Sequence, residues 1–320
     1  MIALFAYLIG AFVYESRDQI NKKQEEIPTI GVLQYVSHPA LDAIYQGILD
    51  ELKEQGFEDG TSARIVYQNG QADQSKLSTM SQQLLSQHSD VLIGIATPSA
   101  QALANQTDTV PIILGAISDP KGAGLVASND RPGGNITGVS DQSPVEAQMA
   151  LIKELQPSIQ TLGVMYSSAE DNSVYQVEKA KKAAESQGMV VTTYAVPSSN
   201  EMTQMTENVA KHNDAIYLPT DNTMANAMAT IVDVANQAKT PIYPSVDTMV
   251  KEGGVATVGI NQYQLGRQTG KMAAQVLTGE LEPASTSIYT FETGDIVINQ
   301  EQADKLGIII PDTIKKEAIK

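Results

Sequence analysis

Ile27–Phe57, IPTIGVLQYVSHPALDAIYQGILDELKEQGF, and Ile159–Met189, IQTLGVMYSSAEDNSVYQVEKAKKAAESQGM, align without a gap. Thr29, Gly31, Val32, Gln55 and Gly56 fall over Thr161, Gly163, Val164, Gln187 and Gly188, at a constant offset of 132. Each stretch reads as strand, turn, long helix and closing glycine. In the first, Pro39 suits an opening helical turn. Leu41, Ile44, Tyr45, Ile48 and Leu52 then make an i, i+3, i+4, i+7 stripe, and Gly56 ends the helix. A less regular echo comes after each: DVLIGIATPSAQALANQTDTVPIILGAISDP (Asp90–Pro120) runs in parallel with DAIYLPTDNTMANAMATIVDVANQAKTPIYPSVDT (Asp214–Thr248). Two similar α/β halves enclose a cleft, and a cleft between halves is where a ligand site is expected.

Outward from the repeat, strand and helix patterns alternate, which predicts parallel sheets with helices on both faces. Strands are expected at Thr29–Val36, Ala63–Gln68, Asp90–Ala96 and Pro111–Ala116, then at Thr161–Tyr166, Val190–Val196, Ala215–Leu218, Pro241–Tyr243 and Val255–Val258. Gly133–Gly138 and Gly259–Ile260–Asn261 read as crossings between the halves, glycine giving the chain its freedom there. The helix Gln262–Thr278 has no counterpart in the second half's repeat, so it is expected to return to the first half. The resulting division is 27–138 with 260–292 as one lobe, 139–259 with 293–320 as the other, and 1–26 in front.

A chain of 320 residues exceeds what one core holds, in agreement with two domains. The formal net charge of −16 opposes nucleic acid and anionic lipid surfaces as partners. There is no cysteine, which removes disulfides, thiolate chemistry and thioether lipidation. Ile2–Tyr14 is an unbroken apolar or aromatic run of 13, short for a span of about 20 residues but suited to an export signal. A buried strand or helix is the alternative. The expectation is an exported chain held by an uncleaved apolar anchor, with Glu15–Glu26 as a charged tether.

In open parallel sheets ligands sit beyond the carboxyl ends of strands. Thr97 and Ser99 open a helix at such an end, with hydroxyls and free N–H groups of the kind that hold an anion. Thr220, Asp221 and Asn222 occupy the equivalent place in the other half, now with a carboxylate. A plain helix cap is the alternative for each. Ser118 and Asp119 close the next strand of the first half, and Ser245 and Asp247 that of the second, where Asp also serves turns. Tyr35, Ser37, His38 and Asp42 sit at the end of the first strand and in the first helix, and the equivalent region of the second half carries Glu170, Asn172 and Ser173. Gly122-Ala-Gly124-Leu-Val-Ala127 matches the dinucleotide fingerprint by letters only. Asp119–Pro120–Lys121 separates it from the strand, and no acid stands at a strand end about 20 residues on. His38, His88 and His212 lack metal-ligand spacing, and neither a P-loop nor a nucleophile elbow occurs. No enzyme activity, metal or cofactor is expected.

The motifs Val36–Asp42, Ile95–Gln101, Ser118–Pro120 with Gly122–Val126, Asn135–Asp141 and Pro219–Thr223 resemble the substrate-binding proteins of bacterial ABC transporters. The resemblance covers about Ile27–Ile308 and points to the branch with tryptophan and other aromatic amino-acid receptors. It implies a type I periplasmic-binding-protein fold, with two Rossmann-like lobes joined by a three-strand hinge. It also implies an extracytoplasmic monomer that closes on a small amino acid and delivers it to membrane permease subunits. Thr97 and Ser99 would then hold the ligand carboxylate, and Asp221 its ammonium. Gram-positive members are usually lipoproteins, which this cysteine-free chain departs from. A sensory receptor using the same cleft is the competing reading, although no output domain is present.

Overall fold

The computed structural model describes residues 27–318; the expected anchor and tether lie outside the described residues. The first half contains β1 (Thr29–Gln34), α1 (Pro39–Glu54), β2 (Arg64–Asn69), α2 (Gln74–Ser86), β3 (Val91–Ile95), α3 (Thr97–Ala104), β4 (Ile112–Gly115) and β5 (Ile136–Ser140). Next come α4 (Val145–Leu155), β6 (Thr161–Ser167), α5 (Asp171–Ser186), β7 (Val190–Val196), α6 (Met202–His212) and β8 (Ala215–Leu218). After these stand α7 (Asn222–Asn226), α8 (Met228–Ala238), β9 (Ile242–Pro244), α9 (Asp247–Lys251) and β10 (Ala256–Gly259). The chain ends with α10 (Gln262–Leu277), β11 (Tyr289–Thr290), β12 (Asp295–Ile298), α11 (Gln300–Leu306) and α12 (Asp312–Glu317).

One sheet has the order β11-β5-β4-β3-β1-β2 and the other β7-β6-β8-β9, and every pairing in both is parallel. The order β2-β1-β3-β4 therefore recurs as β7-β6-β8-β9, which is the sequence repeat in three dimensions. β10 and β12 form a separate antiparallel pair. Every residue of β1, β3, β4 and β5 is buried, as in a parallel sheet covered on both faces.

The first pair of aligned glycines, Gly31 and Gly163, has a packing reason. A Cβ on Gly31 would meet Leu92 and Ser89 at 2.7 Å, and one on Gly163 would run into Val209. In both halves the second helix and the turn leading out of it lie close on the first strand, which leaves no room for a side chain.

Helix α10 packs along α1. A Cβ on Gly266 would strike the carbonyl of Ile44, and one on Gly47 that of Tyr263, so the two helices touch backbone to backbone. Arg267 reaches Glu51 at 2.7 Å, and Tyr263 donates to Asp50 at 2.9 Å.

The structure departs from the sequence reading at the join of the halves. Gly133–Gly138 is not an open crossing, because Ile136–Ser140 forms β5 inside the first sheet. Gly138 (φ 147°) is there for close approach, since a Cβ would collide with the backbone of Leu114. The crossing falls later, between β5 and α4, and α4 itself carries no repeat signal. Between Asn222 and Ala238 the chain forms two helices, α7 and α8, broken at Ala227.

Candidate functional site

The carboxyl ends of the two sheets face each other across a narrow cavity of about 20 Å³, closed down to the room of about one water molecule. On the first side β3 turns into α3 through Ala96 at φ 73°, and β4 ends at Ala116 at φ 64°. Both residues line the cavity. A non-glycine residue held there costs about 1–3 kcal/mol, and such strain concentrates at ligand sites. It brings the first turn of α3 to the cavity wall, where Thr97 lies. Nearby Ser99 Oγ is buried without a partner.

The polar wall is a bridge between the halves. Gln176 Nε2, from α5, donates to Ser118 Oγ at 2.8 Å, and Ser118 Oγ donates to Asp141 Oδ1 at 2.8 Å. Burial pushes the Asp141 carboxyl up to about 6, with the Ser118 hydrogen bond pulling the other way. Further bonds cross the cleft from His38 Nε2 to Asn222 Oδ1 at 3.3 Å, and from Gln101 Nε2 to Asp171 Oδ2 at 3.3 Å.

On the second side Glu170 is buried and collects five donors. Oε2 accepts from the N–H of Asn222 at 3.2 Å, its Nδ2 at 2.6 Å and Asn172 Nδ2 at 3.3 Å. Oε1 accepts from the N–H and hydroxyl of Thr223 at 2.9 and 2.7 Å. Asp221 lies beside this group as the N-cap of α7. Its Oδ1 accepts from Met224 N at 2.9 Å and its Oδ2 from Ser167 N at 2.6 Å. Burial first, and then the charge of Glu170, raise its carboxyl above the usual range. Burial holds the His38 imidazole below its ordinary value.

Of the residues singled out in sequence, His38, Thr97, Ser118, Asn172, Thr220, Asp221 and Asn222 line the cavity. The others stand elsewhere. Tyr35 donates to the carbonyl of Ala72 at 3.3 Å, and burial raises its hydroxyl to about 12. Ser37 donates to Asp42 at 2.7 Å, and the other oxygen of Asp42 accepts from Gln34 at 2.7 Å, so this pair braces the end of β1. Asp119 accepts from Gly122 N at 2.9 Å as a turn residue, on a surface groove that shares Thr97 and Asn172 with the cavity. Ser245 is a hydroxyl partner of Thr220 at 3.0 Å, behind the wall. Asp247 opens α9 buried, with Oδ1 unpartnered. Ser99 is buried behind Thr97. Sequence reasoning passes over Asp141 and Gln262, which line the cavity. Asp141 stands after a strand that glycine disguises, and nothing in the repeat marks Gln262.

Two parallel-sheet lobes meeting at a cavity lined from both define the architecture of a type I periplasmic binding protein. The profile of the ABC transporter substrate binding protein family matches residues 29–320. A crystal structure described as the ABC domain in complex with L-Trp, from Streptococcus pneumoniae, is 49% identical, with a TM-score of 0.89 over 92% of this chain and 99% of that one. The tyrosine-binding protein of Clostridioides difficile strain R20291 is 34% identical over 303 residues, 94% of this chain and 87% of the relative. A ligand-free, open substrate-binding protein with adhesive properties from Clostridium difficile is 35% identical, with a TM-score of 0.71 over 91% of this chain and 98% of that one. The chain belongs to the ABC transporter substrate-binding protein family, whose members are binding proteins rather than enzymes. Among the described residues no helix is long and apolar enough to cross a membrane.

Proposed function

We propose that the protein captures an aromatic α-amino acid between its lobes and delivers it to the permease of an ABC transporter at the outer face of the cell membrane. The carrying observation is the charge of the cavity wall. It contains two buried carboxyls, Asp141 and Asp221, and no lysine or arginine. A cationic group on the ligand is the natural complement.

Asp141 is the better ammonium acceptor. Its Oδ1 takes the Ser118 hydroxyl and its Oδ2 has no hydrogen-bond partner among the described residues, whereas both oxygens of Asp221 are taken by backbone N–H groups. Asp221 then supports the site by fixing the end of β6 against the start of α7. The ligand carboxylate is assigned to the first turn of α3, whose N–H groups at Thr97 and Ser99 have no backbone acceptor among the described residues. The tryptophan complex and the tyrosine-binding relative supply the chemical class.

Closure on the ligand is supported by the direct bonds between lobes, and by a higher likeness to the tryptophan complex than to the open, ligand-free structure. Attachment through the apolar run Ile2–Tyr14 completes the reading. Mass spectrometry of small molecules released from the purified, denatured protein tests it. Recovery of tryptophan, tyrosine or a related amino acid is expected; a stoichiometric sugar or polyol in its place would overturn the assignment.

A further inference from the structure

Asn222 is fixed in one orientation by what lies behind it. Glu170 receives five donors and, as a carboxylate, offers only acceptors, so the group of Asn222 at 2.6 Å from Glu170 Oε2 is the amide nitrogen. The amide oxygen of Asn222 must then face His38 Nε2, at 3.3 Å. An amide oxygen cannot donate, so the hydrogen of this contact sits on Nε2. Burial favours the neutral ring, which with its hydrogen on Nε2 carries a lone pair on Nδ1.

That lone pair is orphaned. His38 is 7% exposed, and Nδ1 is fully buried with no partner. Ala40, Leu41, Ala96, Ala116, Ala225 and Val246 line the same cavity as His38 and make part of its wall aliphatic. Such a wall suits a flat apolar ring, and a buried acceptor within it rewards a ring that carries one donor.

We propose that His38 Nδ1 is a specificity-determining acceptor for the side chain of the ligand, selecting aromatic rings that bear an O–H or N–H over plain phenyl. The chain Glu170 to Asn222 to His38 sets the tautomer that makes this selection. The proposal rests on the aromatic amino-acid reading above and adds which member of that class is preferred. Phenol and indole are both admitted, and phenylalanine is disfavoured because it leaves the buried acceptor unpaired.

The test is calorimetric titration of the ligand-stripped full chain with L-tyrosine, L-tryptophan and L-phenylalanine, in the parent and in His38→Leu and His38→Asn. The parent is expected to bind tyrosine or tryptophan roughly 10- to 100-fold more tightly than phenylalanine. His38→Leu should bring that ratio to about threefold or less, whereas His38→Asn, which returns an acceptor near the Nδ1 position, should retain part of it. A merely structural role for His38 would lower all three affinities together and leave the ratio intact, and that result overturns the proposal. Should His38→Leu fail to fold, nitrogen-15 NMR of the parent decides. Nδ1 should read as an unprotonated nitrogen that moves on adding tyrosine and stays on adding phenylalanine; a protonated Nδ1 in the free protein overturns the proposal. Equal binding of phenylalanine and tyrosine by the parent defeats the selection alone. Absence of binding by all three defeats the aromatic amino-acid reading with it.

Discussion

Ser118 and Gln176 are joined across the cleft by a 2.8 Å hydrogen bond, Gln176 Nε2 donating to the serine hydroxyl. The same hydroxyl donates to Asp141, so one side chain ties lobe to lobe and also holds the carboxyl assigned to the ligand. Ser118→Ala removes both contacts. Affinity for L-tryptophan should fall ~5- to 30-fold, the worth of one or two buried hydrogen bonds, while the ligand-free protein melts within a few degrees of the parent. Calorimetric titration beside thermal unfolding checks this; unchanged affinity would show that the bridge plays no part in binding.

Asp141→Asn should cost more, because it removes the charge proposed to face the ammonium. A loss of ~2–5 kcal/mol in binding is expected, as for truncating one partner of a buried charge pair. An affinity within threefold of the parent would exclude Asp141 as the acceptor.

The same carboxyl sets the pH dependence. Burial raises it from the ordinary 3.8 to about 6 in the folded protein. A folded-state value above the unfolded one means that its contribution to stability is present below pH ~4 and is lost as pH rises through about 6. Ligand-free Asp141→Asn should therefore gain stability relative to the parent between pH 4.5 and 7.5, by up to about 3 kcal/mol. An ammonium ligand demands the ionised form, so tryptophan affinity of the parent should rise over pH 5–7 and level off above. Denaturant melts and titrations at several pH values, read as parent minus variant, separate this from His38, whose lowered value acts in the opposite direction. A flat difference across the range would contradict the assignment.

Asp221→Asn is expected to act on stability. By sequence alone Asn caps a helix as well as Asp, but both oxygens of Asp221 accept backbone N–H groups, from Met224 and from Ser167. An amide keeps one acceptor and turns an NH₂ toward the other N–H. The variant should lose ~1–3 kcal/mol of stability and less binding energy than Asp141→Asn. Chemical unfolding and titration of both variants compare them directly.

Gly266→Ala probes the return of α10 to the first half. The new methyl group meets the carbonyl of Ile44 with no flexible side chain to yield. Separation of α1 and α10 should cost ~1–3 kcal/mol or more, read as a lower urea midpoint.

The architecture was legible because the chain states it twice. Gly31 and Gly163 are glycine for the same packing reason, and the gap-free repeat around them marks two like α/β halves. β5 was hidden because Gly138, needed for contact with Leu114, looks in sequence like a linker glycine. The site was legible in part, through its strand-end positions. Thr97, Ser118 and Asp221 stand where the parallel sheets end. What sequence cannot show is which carboxylate is already spent. Asp221 and Asp141 are both buried acids at the cleft, and only the positions of Ser167 N, Met224 N and Ser118 Oγ separate the cap from the proposed ligand partner.

An aromatic amino acid held between these lobes through its ammonium must lose affinity when the ammonium is removed. Calorimetric titration of ligand-stripped protein with L-tryptophan, L-tyrosine and their deamino analogues, indole-3-propionate and 3-(4-hydroxyphenyl)propionate, measures that loss. The amino acids should bind at micromolar Kd or tighter, about −8 kcal/mol or better, with the deamino analogues at least ~30-fold weaker. Equal binding of the analogues, or no binding of either amino acid, would contradict capture through the ammonium.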